Sequence, residues 1–181
     1  MVYVSIISHV AYLRSNAMKV DVSDIVGNNG ASMGISIEEE PPEREPVKGY
    51  YLDGKLLFKG TITNRDNILL LDGNLKTTYK SECYRCLKPV GGALDIVVKE
   101  NFTNSDDAEQ NDMYYFNGKI LDIGKALIDN IILNLPMKQL CSADCKGLCS
   151  KCGGNLNDSI CDCSNDEIDP RMEGLKDFFK N

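Results

Sequence analysis

Eight cysteines carry the chemistry that this sequence can do. Six crowd into CSADCKGLCSKCGGNLNDSICDC, Cys141 to Cys163, and two form a tight pair upstream, Cys83-Tyr84-Arg85-Cys86. A two-residue gap bends the backbone so that both sulfurs face one point. Four such sulfurs make the tetrahedral shell that Zn²⁺ prefers, with Zn–S bonds of about 2.3 Å. In Cys149-Ser150-Lys151-Cys152-Gly153-Gly154 the glycines permit the positive φ that turns backbone N–H groups toward sulfur. After the intervening GGNLNDSI, Cys161-x-Cys163 brings two more thiols, so Cys149, Cys152, Cys161 and Cys163 are expected to form one site. Cys141-x-x-x-Cys145 cannot close a shell by itself. Its natural complement is Cys83 and Cys86, giving a second site that closes a loop of more than fifty residues. The competing arrangement draws one site from the six C-terminal cysteines and leaves the upstream pair free. The expected cofactor is therefore zinc, one or two ions.

Two other uses of cysteine compete with metal. Disulfide scaffolds are shorter, denser in cysteine and follow a signal peptide. Here MVYVSIISHVAYLRSNA has no basic start, and it is too short and polar to span a bilayer. Cys161 and Cys163 are too close for an easy mutual disulfide, whereas one ion accepts both. A redox dithiol shares the Cys83–Cys86 spacing, but its strand-to-helix setting is missing here. Metal is the expected use, in a reducing cytoplasm. Residues 1–17 read as a leader or a vector-derived segment before a natural start at Met18, which removes His9, the only histidine, from the ligand set.

The elements that must position these thiols follow from pattern. Leu56–Thr63, Leu69–Leu71, Asn74–Glu82 and Ala93–Phe102 read as strands, with turns at Asn64–Asn67 and Asp72-Gly73, and Met113–Phe116 can add another. Met18–Ile37 shows only a short alternation at Val20 and Val22, then glycine and asparagine. Glu38–Tyr50 reads as a solvated connector or an edge strand, and Asn104–Asp112 as an acidic loop. Asp122 caps a helix expected from Ile123 to about Leu135, with Leu127, Ile128, Ile131, Ile132 and Leu135 on its apolar face and Pro136 stopping it. A last helix is expected from Asp169-Pro170, with Met172, Leu175 and Phe179 on one face. The fold class is α+β: a small antiparallel β-sheet or partly open barrel, one packed helix, and a zinc-ribbon-like cysteine lobe with a terminal helix. The expected division is a core domain over 18–140 and the cysteine lobe over 141–181.

The run LKTTYKSECYRCLKP, the helix LDIGKALIDNIILNLP, CKGLCSKCGGNLN with CDC, and the IDPRMEGL tail together resemble the YceD family of bacterial and plastid proteins. The resemblance spans nearly everything from Met18 onward. It implies metal binding and a role in accumulation or processing of large-subunit ribosomal RNA, hence ribosome biogenesis. Family members differ in the C-terminal cluster, some keeping only the pair that matches Cys83 and Cys86. The family often carries an acid where this chain has Asn130.

Closed four-cysteine shells leave no coordination position for water, and no histidine is at hand as a base, so catalysis is not expected. The formal charge is -7, and two filled sites would lower it by roughly four more. That charge opposes broad nucleic-acid binding and suits a basic protein partner. Two partner classes remain. One is ribosomal RNA, met by Lys76, Lys80, Arg85 and Lys88, with Tyr79 and Tyr84 stacking on bases. The other is a ribosomal protein or assembly factor bound without RNA contact. Neither a membrane nor a small-molecule substrate is expected.

Overall fold

The computed structural model describes residues 18–41, 46–105, 108 and 112–163. The expected leader and the expected helix from Asp169 lie outside the described residues.

Two sheets organise the described residues. A short one joins β1 (Lys19–Asp21) to β8 (Ile120–Asp122). The main sheet runs in the order β2 (Ser32–Glu39), β4 (Leu56–Arg65), β5 (Ile68–Glu82), β6 (Pro89–Thr103) and β7 (Tyr114–Tyr115). β3 (Tyr50–Leu52) pairs with β5 from Tyr79 to Ser81, beyond the end of β4. Every pairing is antiparallel except β6 with β7. The path ends at β2 and β7, so the sheet is open rather than a closed barrel, and with α1 (Ser23–Val26) and α2 (Gly124–Asn134) the protein is α+β.

Period-two burial along β4, β5 and β6 sends Phe58, Ile62, Leu71, Leu75, Ile96, Val98 and Phe102 to one face. On that face α2 lays Ala126, Leu127, Ile128 and Ile131, all buried in the same cluster. Each large apolar side chain so covered stabilises the fold by about 1.5–3 kcal/mol. The helix starts one residue later than expected: Ile123 takes the cap position without a side-chain hydrogen bond, and Asp122 just before it accepts the Gly124 N–H on Oδ1 at 3.0 Å. Among the described residues, no helix is long and apolar enough to cross a membrane.

The hairpin between β4 and β5 turns at Asp66 and Asn67, whose φ values of 52° and 67° fit a tight primed turn. Asn64 at its base is buried; its amide donates to the Ile25 and Val26 carbonyls at 2.6 and 2.9 Å and closes the end of α1. The expected turn at Asp72-Gly73 is absent, because β5 runs through it unbroken. Gly73 instead faces Gly60 across the ladder. A Cβ on Gly73 would lie 2.6 Å from the tip of the Phe58 ring and 2.7 Å from the Gly60 Cα. The two glycines thus leave room for a core aromatic. The glycine- and asparagine-rich stretch also holds more than expected, namely α1 and β2, the eight-residue edge strand of the sheet.

Gly73→Ala should therefore destabilise the fold by about 1–3 kcal/mol through overpacking, read as a lower urea midpoint. A turn glycine with free space around it would show no such loss.

Candidate metal centre

β5 and β6 pair over their full length, from Ile68 with Thr103 to Glu82 with Pro89, and Cys83–Lys88 form the tip. There the Cys83 N–H donates to the Lys88 carbonyl at 2.8 Å, and the Leu87 N–H to the Cys83 carbonyl at 2.9 Å. Leu87 sits at φ 59°, the left-handed conformation that lets the loop close. The partner thiols arrive from α2. After that helix Tyr50 donates its hydroxyl to the Pro136 carbonyl, and Tyr79 donates to Gln139 Oε1 at 3.2 Å. The two tyrosine rings pack with centroids 5.7 Å apart. The Tyr84 N–H then holds the Gln139 carbonyl at 2.8 Å, so the chain is strapped along the hairpin up to Cys141.

At the tip Cys83 Sγ lies 3.8 Å from Cys145 Sγ, and Cys86 Sγ 3.5 Å from Cys141 Sγ; all four sulfurs fall within 4.8 Å of one another. A tetrahedral four-sulfur zinc shell has sulfurs about 3.8 Å apart, given a Zn–S bond of about 2.3 Å. Cys83, Cys86 and Cys145 are buried under Val90, Leu140 and Leu148, and Cys141 is exposed.

The second quartet is built on the same loop. The Cys149 N–H donates to the Gly154 carbonyl at 2.8 Å and the Gly153 N–H to the Cys149 carbonyl at 2.9 Å, with Gly153 at φ 72° where the first loop has Leu87. Backbone N–H groups approach sulfur as the sequence suggests: Lys151 to Cys149 Sγ at 3.4 Å, Gly154 to Cys152 Sγ at 3.5 Å. The sulfurs of Cys149, Cys152, Cys161 and Cys163 again lie within 4.8 Å of one another. This quartet is the more open one, with Cys152 and Cys163 exposed, Cys161 half-buried and Cys149 buried.

Crowded sulfurs divide into acidic and basic thiols. Burial pushes Cys83 up, but N–H groups of Cys141, Arg85 and Cys86 outweigh it and bring the thiol to about 6. Burial likewise raises Cys145, yet the Asn157 amide and the Gly147 N–H leave it lowered. The sulfurs of Cys145 and Cys86 push Cys141 up to about 12. In the other quartet the N–H groups of Cys152 and Lys151 bring Cys149 to about 6, while the Cys152 sulfur pushes Cys163 up to about 12. Negative charge is thus welcome in each quartet but limited by mutual repulsion. A divalent cation removes that limit, because four thiolates can then share it. Sulfur spacing, backbone donors and charge all fit two groups that could each hold a metal ion.

The cations expected to meet RNA are each engaged. Lys76 pairs with Asp95 at 2.9 Å, Lys80 with Asp53 at 3.1 Å and Lys88 with Asp158 at 2.6 Å. Arg85 donates to the Cys145 carbonyl at 2.9 Å. Tyr79 is only 6% exposed, so its ring offers no face to a base; it serves the strap instead. Tyr84 is 67% exposed, with Lys138 Nζ 5.0 Å from its ring centroid. Asn130 donates to Glu100 Oε1 at 2.5 Å, so an acid in its place would face a carboxylate rather than bind it. Sequence reasoning missed Tyr50 and Gln139, which brace the strap, and Asn157, whose amide reaches Cys145 Sγ; none of the three carries a spacing signal.

Tyr79→Phe removes one half-buried hydrogen bond while keeping the ring, and should cost about 1 kcal/mol in urea denaturation. Tyr84→Phe, altering an exposed hydroxyl, should leave the midpoint unchanged.

No solved structure matches the chain. An uncharacterised protein of Mycobacterium tuberculosis is 29% identical over 91% of this chain and 83% of its own length. A chloroplastic protein of Arabidopsis thaliana, named as a large ribosomal RNA subunit accumulation protein YCED homolog, is 24% identical over 81% of this chain and 54% of its own. One of Zea mays with the same name is 29% identical over 69% of this chain and 54% of its own. The family model described as large ribosomal RNA subunit accumulation protein YceD matches residues 71–179, more than half of the chain and both cysteine quartets, and the protein belongs to the YceD family.

Proposed function

We propose that this protein is a non-catalytic zinc-binding factor of ribosome biogenesis that supports accumulation or processing of large-subunit ribosomal RNA in the cytoplasm. Cys83, Cys86, Cys141 and Cys145 hold one Zn²⁺, and Cys149, Cys152, Cys161 and Cys163 the other. The observation that carries the zinc reading is the pair of four-sulfur clusters, each with sulfurs within 4.8 Å and each framed by the same hydrogen-bonded loop. The ribosomal reading rests on family membership and on the printed names of the plant relatives.

Four sulfurs complete a zinc shell and leave no position for a reacting water. The metal's work is then folding, on the order of 10–16 kcal/mol per site by comparison with finger peptides. In this chain it would fasten the hairpin tip to the segment after α2, and close the lobe that follows.

Contact with ribosomal RNA would run along the hairpin, through Lys76, Lys80, Arg85, Lys88 and the exposed Tyr84. Surface ion pairs are worth about 0–1 kcal/mol, so phosphate can compete for these lysines. A second reading, binding to a basic ribosomal protein or assembly factor without RNA contact, is favoured by the acidic partner that each of the three lysines already has and by the charge of -7.

In native cells depleted of this protein, large-subunit ribosomal RNA should fall relative to small-subunit RNA, as read on a denaturing gel. Wild-type protein should restore the ratio and Cys83→Ser/Cys86→Ser should not. Full restoration by the double variant, at equal protein level, would sink the reading.

A further inference from the structure

The two quartets meet through one side chain. Asn157 lies between Cys152 and Cys161, so its place is set by the loop that the C-terminal quartet closes. Its Nδ2 donates to Cys145 Sγ, a member of the other quartet, at 3.3 Å. Its Oδ1 accepts the Lys146 N–H at 2.8 Å, and its Nδ2 and backbone N–H both reach Asn155 Oδ1, at 2.8 and 3.0 Å. These contacts aim the amide at the sulfur for as long as the loop keeps its shape.

The backbone around it joins the same two bodies. The Leu156 N–H donates to the Gly147 carbonyl at 2.9 Å, and Leu148 bridges to Asn155. Leu148 in turn donates to the Arg85 carbonyl at the hairpin tip at 3.0 Å, and Lys88 pairs with Asp158 beside Asn157. A loop shaped by one set of sulfurs is thus docked on the frame of the other.

Resting on the reading that both quartets hold zinc, we propose that Asn157 couples them, so that metal in the C-terminal quartet tightens metal binding at the hairpin tip. An N–H donated to a coordinating thiolate spreads its charge and fixes the direction of its lone pairs; outer partners of this kind typically govern affinity by about 10–100-fold. When Cys149, Cys152, Cys161 and Cys163 share an ion, the 153–160 segment is held at both ends and the Asn157 amide stays on Cys145. Without that ion the segment loses its closure, and Cys145 loses its donor. Binding linkage is reciprocal, so metal at the hairpin tip strengthens the C-terminal quartet by the same factor.

The test uses the full chain loaded with zinc. Zinc per chain is measured first by elemental mass spectrometry. The zinc-loaded protein is then equilibrated with graded chelator, and alkylation of Cys83 and Cys86 is mapped by peptide mass. Asn157→Ala should retain two zinc ions and expose Cys83 and Cys86 at about tenfold lower chelator concentration. Cys161→Ser/Cys163→Ser should cause the same shift, and Asn157→Ala added to that background should cause no further one. Asn157→Asp, which keeps an acceptor for Lys146 but turns a carboxylate on sulfur, should shift at least as far. An unshifted Asn157→Ala, or one that shifts equally in both backgrounds, would overturn the coupling, and two zinc ions on the wild-type chain would leave the zinc reading standing. Wild-type protein with no zinc would overturn the zinc reading itself and the coupling with it.

Discussion

The continuous ladder between β5 and β6 sets the distances that everything else must meet. Fifteen residues on each strand make a ribbon roughly 45 Å long at the usual rise per residue. Main core lies beneath it as far as Tyr79, where β3 adds a third strand. The end beyond carries Cys83 and Cys86 into a small cluster of their own, and a two-stranded ribbon in water is marginal without support. That support comes from the Tyr50–Tyr79 pair, from Gln139, and from the chain that α2 sends along the hairpin. Bringing Cys141 and Cys145 to the tip is therefore a consequence of bracing the ribbon, and a metal ion there would finish what the strap begins.

The same loop appears twice with different residues at its strained position. Gly153 takes φ 72° freely, whereas Leu87 takes φ 59° against the crowding that a Cβ meets there, a cost of about 1–2 kcal/mol. Leu87 is 58% exposed, so little burial offsets that cost. Hydrogen bonds from Cys83 to Lys88 and from Leu87 to Cys83 hold the conformation. The quartet at the hairpin tip buries three of its four cysteines, and the one in the following lobe buries only Cys149.

Much of the site was legible because thiolate chemistry constrains spacing. The gap between Cys149 and Cys152, and the glycines after it, point to a sulfur-facing loop, and the leftover Cys141 and Cys145 point to Cys83 and Cys86 by elimination. Helix α2 was legible from its apolar stripe and Pro136. Asp72-Gly73 misled because turn chemistry and a glycine making room for Phe58 look alike in sequence. β2 was hidden by glycine, serine and asparagine around a half-buried alternation of Met33, Ile35 and Ile37. Tyr79 reads as an exposed aromatic among lysines, and only the pairing with Gly92 and Tyr50 shows that its ring is covered. Asn157 carries no signal at all, since its partner is chosen by the closure of a loop rather than by a fixed interval.

If the eight thiolates are shared between two metal ions as proposed, no other atom type enters either shell. X-ray absorption at the zinc edge, on protein purified without chelator and with its metal counted, reads this out. Two zinc ions per chain are expected, each with four sulfur neighbours at about 2.3 Å. A shell containing nitrogen or oxygen, or metal-free protein whose intact mass shows disulfides, would contradict the proposal.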